Sequence, residues 1–199
     1  MEIEKELKLL LKENTYHILL QEANNVKSKI IQENYYFDTP TLDLGRRGIT
    51  LRIRKENEKW LLCLKAKQLS LPNNSYASSL EFEQEVSADV FQKCTTSPSI
   101  IFSYLPPEGG KYITETINDL KLLGSLKNIR YSIELFKDYS HKFELDHSFF
   151  PNGKEEYELE IEGIENERDS LNVIEKIKKL GVVYNLNNKS KYKRFIESL

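Results

Sequence analysis

The chain repeatedly alternates apolar and charged residues, and within each such run the charges are largely of one sign. Glu2, Glu4, Glu6 and Lys8 alternate with Ile3, Leu7 and Leu9. Arg52 and Arg54 flank Ile53, and Lys65 and Lys67 flank Ala66. Glu81, Glu83 and Glu85 interleave with Phe82, and Glu158, Glu160 and Glu162 with Leu159 and Ile161. Period two is the signature of a β-strand, in which residues i and i+2 share a face. A solvated sheet face would explain any one of these strands. Such faces usually mix signs, however, because like charges side by side repel. Here three acidic rows and two basic rows are segregated.

The remaining elements surround these strands. Residues 2–10 read as a strand, 13–31 as a helix burying Tyr16, Ile18, Leu19, Leu20, Val26 and Ile30, and 33–40 as a short aromatic strand closed by Asp-Thr-Pro. Residues 42–48 read as a loop and 49–56 with 59–67 as a hairpin turning at Asn57-Glu58. A polar loop over 68–78 precedes a strand at 79–87. Helical patterns at 88–94 and 113–123 enclose a segment broken by Pro and Gly. Strands return at 128–136, 141–150 and 154–163, the last two joined through Asn152-Gly153, a hairpin signal. Helices over 166–180 and 189–199 end the chain. This gives an α+β protein of about eight mostly antiparallel strands with flanking α-helices, which close either into an antiparallel β-barrel or into two sheets. No linker or repeat divides residues 1–199, which read as a single domain.

With 29 Lys and Arg against 31 Asp and Glu, the net charge is −2, which argues against a general nucleic-acid or membrane binder. No run approaches the roughly 20 apolar residues of a membrane span. The charged N-terminus lacks the apolar core of a signal peptide, so a cytoplasmic location is expected. Cys63 and Cys94 fit neither a disulfide framework nor a zinc motif. His141 and His147 lie about 20 Å apart if the strand is extended, which suits structural roles. Phosphate-loop, dinucleotide, HExxH and GxSxG motifs are absent. Rows of carboxylates converging with rows of Arg and Lys would call for divalent cations on one side and a polyanion on the other. Mg²⁺ and Mn²⁺ take oxygen ligands, and Arg and Lys hold phosphate.

The motifs also resemble a known family. Glu4-Lys5-Glu6-Leu7-Lys8 matches the ExExK signature of the CYTH domain, or triphosphate tunnel metalloenzymes. Tyr36-Phe37-Asp38-Thr39-Pro40, Leu51-Arg52-Ile53-Arg54, Leu64-Lys65, Glu81 and Glu83, Arg130, Leu145-Asp146, Glu158-Leu159-Glu160 and Ser190-Lys191-Tyr192 follow in family order. The resemblance implies an eight-stranded antiparallel barrel forming a tunnel, a triphosphate substrate, and Mg²⁺ or Mn²⁺. It implies that Lys8, Arg52, Arg54, Lys65, Arg130 and Lys191 hold the triphosphate and that Glu4, Glu6, Glu158 and Glu160 bind metal. Asp146, Glu81 and Glu83 would support the metal's water shell or orient the basic side chains. Lys65 and Tyr36 occupy the positions of a catalytic pair. Glu2, Glu85 and Glu162 extend the acidic rows and read as rim or solvent residues. Cys63 shares the parity of Lys65.

The function expected is therefore a metal-dependent hydrolase of inorganic or thiamine triphosphate, acting on a small-molecule substrate as a monomer or homodimer. An adenylate cyclase making cyclic AMP, or a non-catalytic polyphosphate- or nucleotide-binding module, would use much of the same basic wall. Retention of both acidic pairs favours catalysis.

Overall fold

The structure, a computed structural model, describes residues 2–23, 25–68, 74–113, 119–187 and 189–199. In chain order its elements are β1 (Glu2–Leu11), α1 (Glu13–Glu22), β2 (Asn25–Asp38), α2 (Asp43–Arg46), β3 (Ile49–Glu56), β4 (Lys59–Lys67), β5 (Ala77–Val86) and α3 (Ala88–Thr96). After a 3-10 turn over Pro98–Tyr104 come α4 (Pro107–Gly110), β6 (Lys121–Glu134), β7 (Lys142–Phe149), β8 (Glu155–Glu162), α5 (Glu167–Lys179), β9 (Tyr184–Leu186) and α6 (Lys191–Ile196). Among the described residues the strands pair in the order β5-β4-β3-β2-β6-β7-β8-β1-β9, and β5 also pairs with β1. That last pairing closes β1–β8 into the antiparallel barrel expected, and it leaves β9 as an extra strand against β1.

Several boundaries differ from the sequence reading. The helix expected over 13–31 stops at Glu22, and β2 begins at Asn25. The segment carries β-branched Val26, Ile30 and Ile31, which favour a pleated strand. Of the positions expected buried, Ile18 and Val26 are exposed, so they do not mark a buried face. The helix expected over 113–123 is overruled at its end, where Lys121 starts β6; residues 114–118 lie outside the described set, as do 69–73 of the expected loop. The loop at 42–48 contains α2. The Asp-Thr-Pro turn explains why: buried Asp38 accepts N–H bonds from Thr39 at 2.7 Å, Leu44 at 2.9 Å and Gly45 at 2.9 Å, satisfying the start of that helix. Gly153 adopts φ 80° in the β7–β8 turn, the left-handed conformation that this Asn-Gly signal predicts.

The described residues fall into two compact units. The first comprises residues 1–3, 32–67 and 79–127. Its core packs Phe37, Leu51, Ile53, Leu62, Leu64 and Phe82, from β2–β5, with Cys94 and Ile101. The second comprises residues 4–31, 68–78 and 128–199. Its core joins Leu7 and Leu9 of β1, Phe143 and Leu145 of β7, and Leu159 and Ile161 of β8 to Val173, Ile174 and Ile177 of α5. In both, the apolar parity of each strand supplies the core, so the charged parity lies on the opposite face.

Candidate functional site

In the second unit the charged face is not solvated. Glu144, Asp146, Glu158 and Glu160 are 3%, 0%, 1% and 5% exposed. The register brings them together: Asp146 lies opposite Glu158, Glu144 opposite Glu160, and Glu160 opposite Lys8 of β1. Buried carboxylates in this number are tolerable only when paired, and Lys8, Arg130, Lys142, Lys191 and Arg194 supply the pairing.

Lys191 is central. Its Nζ donates to Asp146 Oδ2 at 2.7 Å, Glu158 Oε1 at 2.7 Å and Glu160 Oε1 at 2.6 Å. Ser190 caps α6 by accepting the Lys193 N–H at 3.1 Å, and Tyr192 and Phe195 bury the helix's other side. The cap fixes where α6 starts, and therefore where Lys191 points. Burial works against its ammonium, but Asp146, Glu158 and Glu160 outweigh that and raise its pKa above the ordinary lysine value. Arg130 forks onto Asp146, Nε to Oδ1 at 2.8 Å and Nη2 to Oδ2 at 2.6 Å, and also pairs with Glu160 and Glu144. Lys8 reaches Glu6 at 2.8 Å and Glu160 at 3.8 Å. Burial alone would raise the Glu160 pKa, yet Lys191, Arg130 and Lys8 hold it well below the usual carboxylate range. Asp146 is lowered likewise by Arg130 and Lys191 against its burial.

Oxygens of Asp146, Glu158 and Glu160 all lie within 4.8 Å of one another. Three buried oxygen donors at that spacing suit a hard divalent cation. Of the acidic residues expected at the metal, Glu158 and Glu160 come together with Asp146, which was expected to hold metal-bound water. Glu6 is buried farther along β1, tied to Lys8, and Glu4 is half-buried two residues before it.

Sequence reasoning missed several members of this network. Asn128 donates to Asp146 at 2.9 Å and accepts from Ser148 at 2.8 Å. Arg194, on α6, donates to Glu158 Oε2 at 2.7 Å and Glu156 Oε2 at 2.5 Å. Asn187 also donates to Glu158 Oε2. Glu144 had a visible signal, since it shares the parity of Asp146; Asn128 is an uncharged residue of β6, and Arg194 and Asn187 stand on a helix and a loop, where no charge periodicity marks them. Glu162 is not a solvent residue. Lys142 bonds it at 3.3 Å, and burial with the neighbouring Glu144 pushes its carboxyl up to about 7. Glu85 does lie at the surface, 3.8 Å from Lys59; the Glu2 side chain is outside the described set.

The first unit holds the expected basic strand. Arg52 lies opposite Tyr36 and Cys63, and Arg54 opposite Asn34. Arg54 Nε donates to Asn34 Oδ1 at 3.1 Å, and its Nη1 lies 3.5 Å from Glu56. Lys65 pairs with Glu81 at 2.5 Å. Tyr36 is 1% exposed. Cys63 Sγ lies 3.5 Å from Glu83 Oε2, and burial pushes its thiol up to about 12 despite the opposing effect of Arg52. Such a shift favours the protonated thiol over the nucleophilic thiolate. Glu83 is exposed and lies directly opposite Cys63 on the neighbouring strand.

The CYTH domain profile matches residues 2–196, and the chain belongs to this family. Its fold is that of a Hippeastrum protein of adenylyl-cyclase type, described as having a dominant triphosphatase activity, at 26% identity and TM-score 0.81 over 98% of this chain and 95% of that one. A Bacillus halodurans protein named as an adenylate cyclase shares the fold at 24% identity and TM-score 0.77, over 98% of this chain and 97% of that one. A Pyrococcus horikoshii protein does so at 17% identity and TM-score 0.63, over 98% and 99%. No curated protein matches the sequence. Among the described residues no helix is long and apolar enough to cross a membrane.

Proposed function

We propose that the chain acts as one catalytic domain, a divalent-metal-dependent triphosphatase that hydrolyses inorganic or thiamine triphosphate to the diphosphate and phosphate. The observation that carries this reading is the buried Asp146–Glu158–Glu160 cluster, threaded by Lys191, Arg130 and Lys8. Asp146, Glu158 and Glu160 would hold Mg²⁺ or Mn²⁺, with Glu4 and Glu6 as further ligand candidates. When bound, the cation supplies Lewis-acid charge to phosphoryl oxygens.

The chain's own residues do the rest. A triphosphate carries about four negative charges, and phosphoryl transfer needs chiefly positioning and charge stabilisation. Lys8 has N–H donors to share with phosphate oxygens, whereas Lys191 spends all three on Asp146, Glu158 and Glu160 and would turn from them to reach a phosphate. Arg130, committed to three carboxylates, orients the ligand set. Arg52, Arg54 and Lys65 bind phosphate, with Glu81 and Asn34 aiming Lys65 and Arg54. Lys65 and Tyr36 are the candidate catalytic pair. The dominant triphosphatase activity of the Hippeastrum protein supports hydrolysis over cyclisation.

A phosphate-release panel over inorganic triphosphate, thiamine triphosphate and ATP, with Mg²⁺ or Mn²⁺, tests the reading. Chelator-sensitive phosphate release from one of the first two is expected. Cyclic AMP as the main product from ATP would make the chain a cyclase, and no turnover of any substrate would leave it a binding module.

A further inference from the structure

Each of the three clustered carboxylates gives one oxygen to Lys191 Nζ: Asp146 Oδ2, Glu158 Oε1 and Glu160 Oε1. The point where Nζ sits is therefore the point on which three oxygens converge. The second oxygen of each carboxylate is engaged elsewhere. Asp146 Oδ1 accepts from Arg130 Nε and Asn128. Glu160 Oε2 accepts from Arg130. Glu158 Oε2 accepts from Arg194 Nη2 at 2.7 Å and from Asn187 Nδ2.

The lock on Glu158 is built from both sides. Arg194 is itself fixed. Its other arm holds Glu156 Oε2 at 2.5 Å, Glu156 Oε1 accepts from Lys154 at 2.6 Å, and the guanidinium lies 5.9 Å from the Phe150 ring centroid. Asn187 is anchored by its backbone N–H to the Lys8 carbonyl at 2.9 Å and by its Oδ1 to the Lys189 N–H at 3.1 Å. Glu158 is 1% exposed, so it has no room to swing away.

Carboxylate denticity separates cations by size. Mg²⁺ demands near-octahedral geometry and takes one oxygen per carboxylate, whereas Ca²⁺ accepts six to eight oxygens and often chelates a carboxylate through both. We propose that Arg194 and Asn187 are positioning residues that leave Glu158 only Oε1 to offer a cation taking the place of Lys191 Nζ, and so set the site's preference for a small octahedral cation over Ca²⁺. This rests on the metal-dependent reading above.

The test is direct cation binding, followed by calorimetric titration and by cation-induced change in melting temperature, without substrate. Mg²⁺ and Ca²⁺ are titrated separately into the wild type, Arg194→Gln and Asn187→Ala. The wild type should prefer Mg²⁺. In Arg194→Gln the Mg²⁺-over-Ca²⁺ preference should fall about tenfold, mainly through tighter Ca²⁺ binding. Asn187→Ala, which removes one of the two donors, should shift it the same way by less. If Arg194→Gln does not fold, Asn187→Ala and Arg194→Lys are read instead, the latter keeping the charge while losing the fork. A preference unchanged in every folded variant overturns the proposal alone. A wild type that binds neither ion overturns it together with the metal-dependent reading.

Discussion

Arg130 holds Asp146 by a two-pronged fork, Nε to Oδ1 at 2.8 Å and Nη2 to Oδ2 at 2.6 Å, and its remaining donors go to Glu160 and Glu144. The guanidinium is thus the structural counterion of three buried carboxylates. Burial opposes its charge, but Asp146, Glu160 and Glu144 raise its pKa well above normal. Removing one partner of a buried pair leaves an uncompensated charge and costs about 3–5 kcal/mol.

Arg130→Met should therefore lower stability as well as activity. At about 2–4 °C per kcal/mol for a chain of this size, the melting temperature should drop by about 6 °C or more. A melting curve that overlays the wild type would show that Arg130 serves only the substrate.

The contrast with Arg130 shows what the sequence could and could not reveal. Glu158 and Glu160 were legible because like charges at i and i+2 on a strand have one physical meaning, a shared face. Counting such strands and their short joins left a barrel and a two-sheet arrangement both open; the family resemblance implied the barrel, and the β5–β1 pairing closes it. The role of Arg130 was not readable, because its partners Asp146 and Glu144 stand on β7, 16 and 14 residues on, and are brought to it by the pairing of β6 with β7. Arg194 and Asn187 reach Glu158 from α6 and the loop after β9, contacts 36 and 29 residues away that no periodicity records. The helix predicted over 13–31 failed beyond Glu22 for a different reason. Exposed Val26 and Ile31 imitate a helical apolar stripe, while pairing with neighbouring strands decides the segment.

Arg52→Ala and Arg54→Ala should behave differently from Arg130→Met. Each should stay folded and lose triphosphate affinity or turnover at least about tenfold, because a charge-assisted hydrogen bond is worth about 1.5–3 kcal/mol and 1.4 kcal/mol is about tenfold. Inorganic triphosphate should raise the melting temperature of the wild type more than that of either variant. Equal stabilisation and equal turnover in all three would place the substrate elsewhere.

Chelation should abolish phosphate release, and readdition of Mg²⁺ or Mn²⁺ should restore it. Glu160→Gln keeps the shape of a candidate ligand but loses its charge, so the cation concentration for half-maximal activity should rise about tenfold or more. Full turnover in excess chelator would show that the carboxylates are not metal ligands.

The last prediction concerns pH and a site remote from the cluster. Asp169, in the first turn of α5, accepts the Glu165 N–H at 3.0 Å and bonds His141 Nε2 at 2.9 Å. Burial works against the charged form, but the Glu165 N–H and His141 outweigh it and hold the carboxyl below its ordinary value. A depressed carboxylate pKa means the unfolded chain binds the proton more readily than the folded one. The stabilisation is thus complete above the unfolded pKa of about 3.9 and is lost as pH falls through the lower folded value. Asp169→Ala should cost about 0.5–2 kcal/mol at pH 7, the range for losing a helix N-terminal acceptor. Denaturant titrations of wild type and Asp169→Ala should show that gap at pH 7 and pH 5, and should show it shrinking below about pH 4. A gap that is the same at pH 3 as at pH 7 would mean that Asp169 acts through packing, with its ionised carboxylate contributing nothing to the stability of α5.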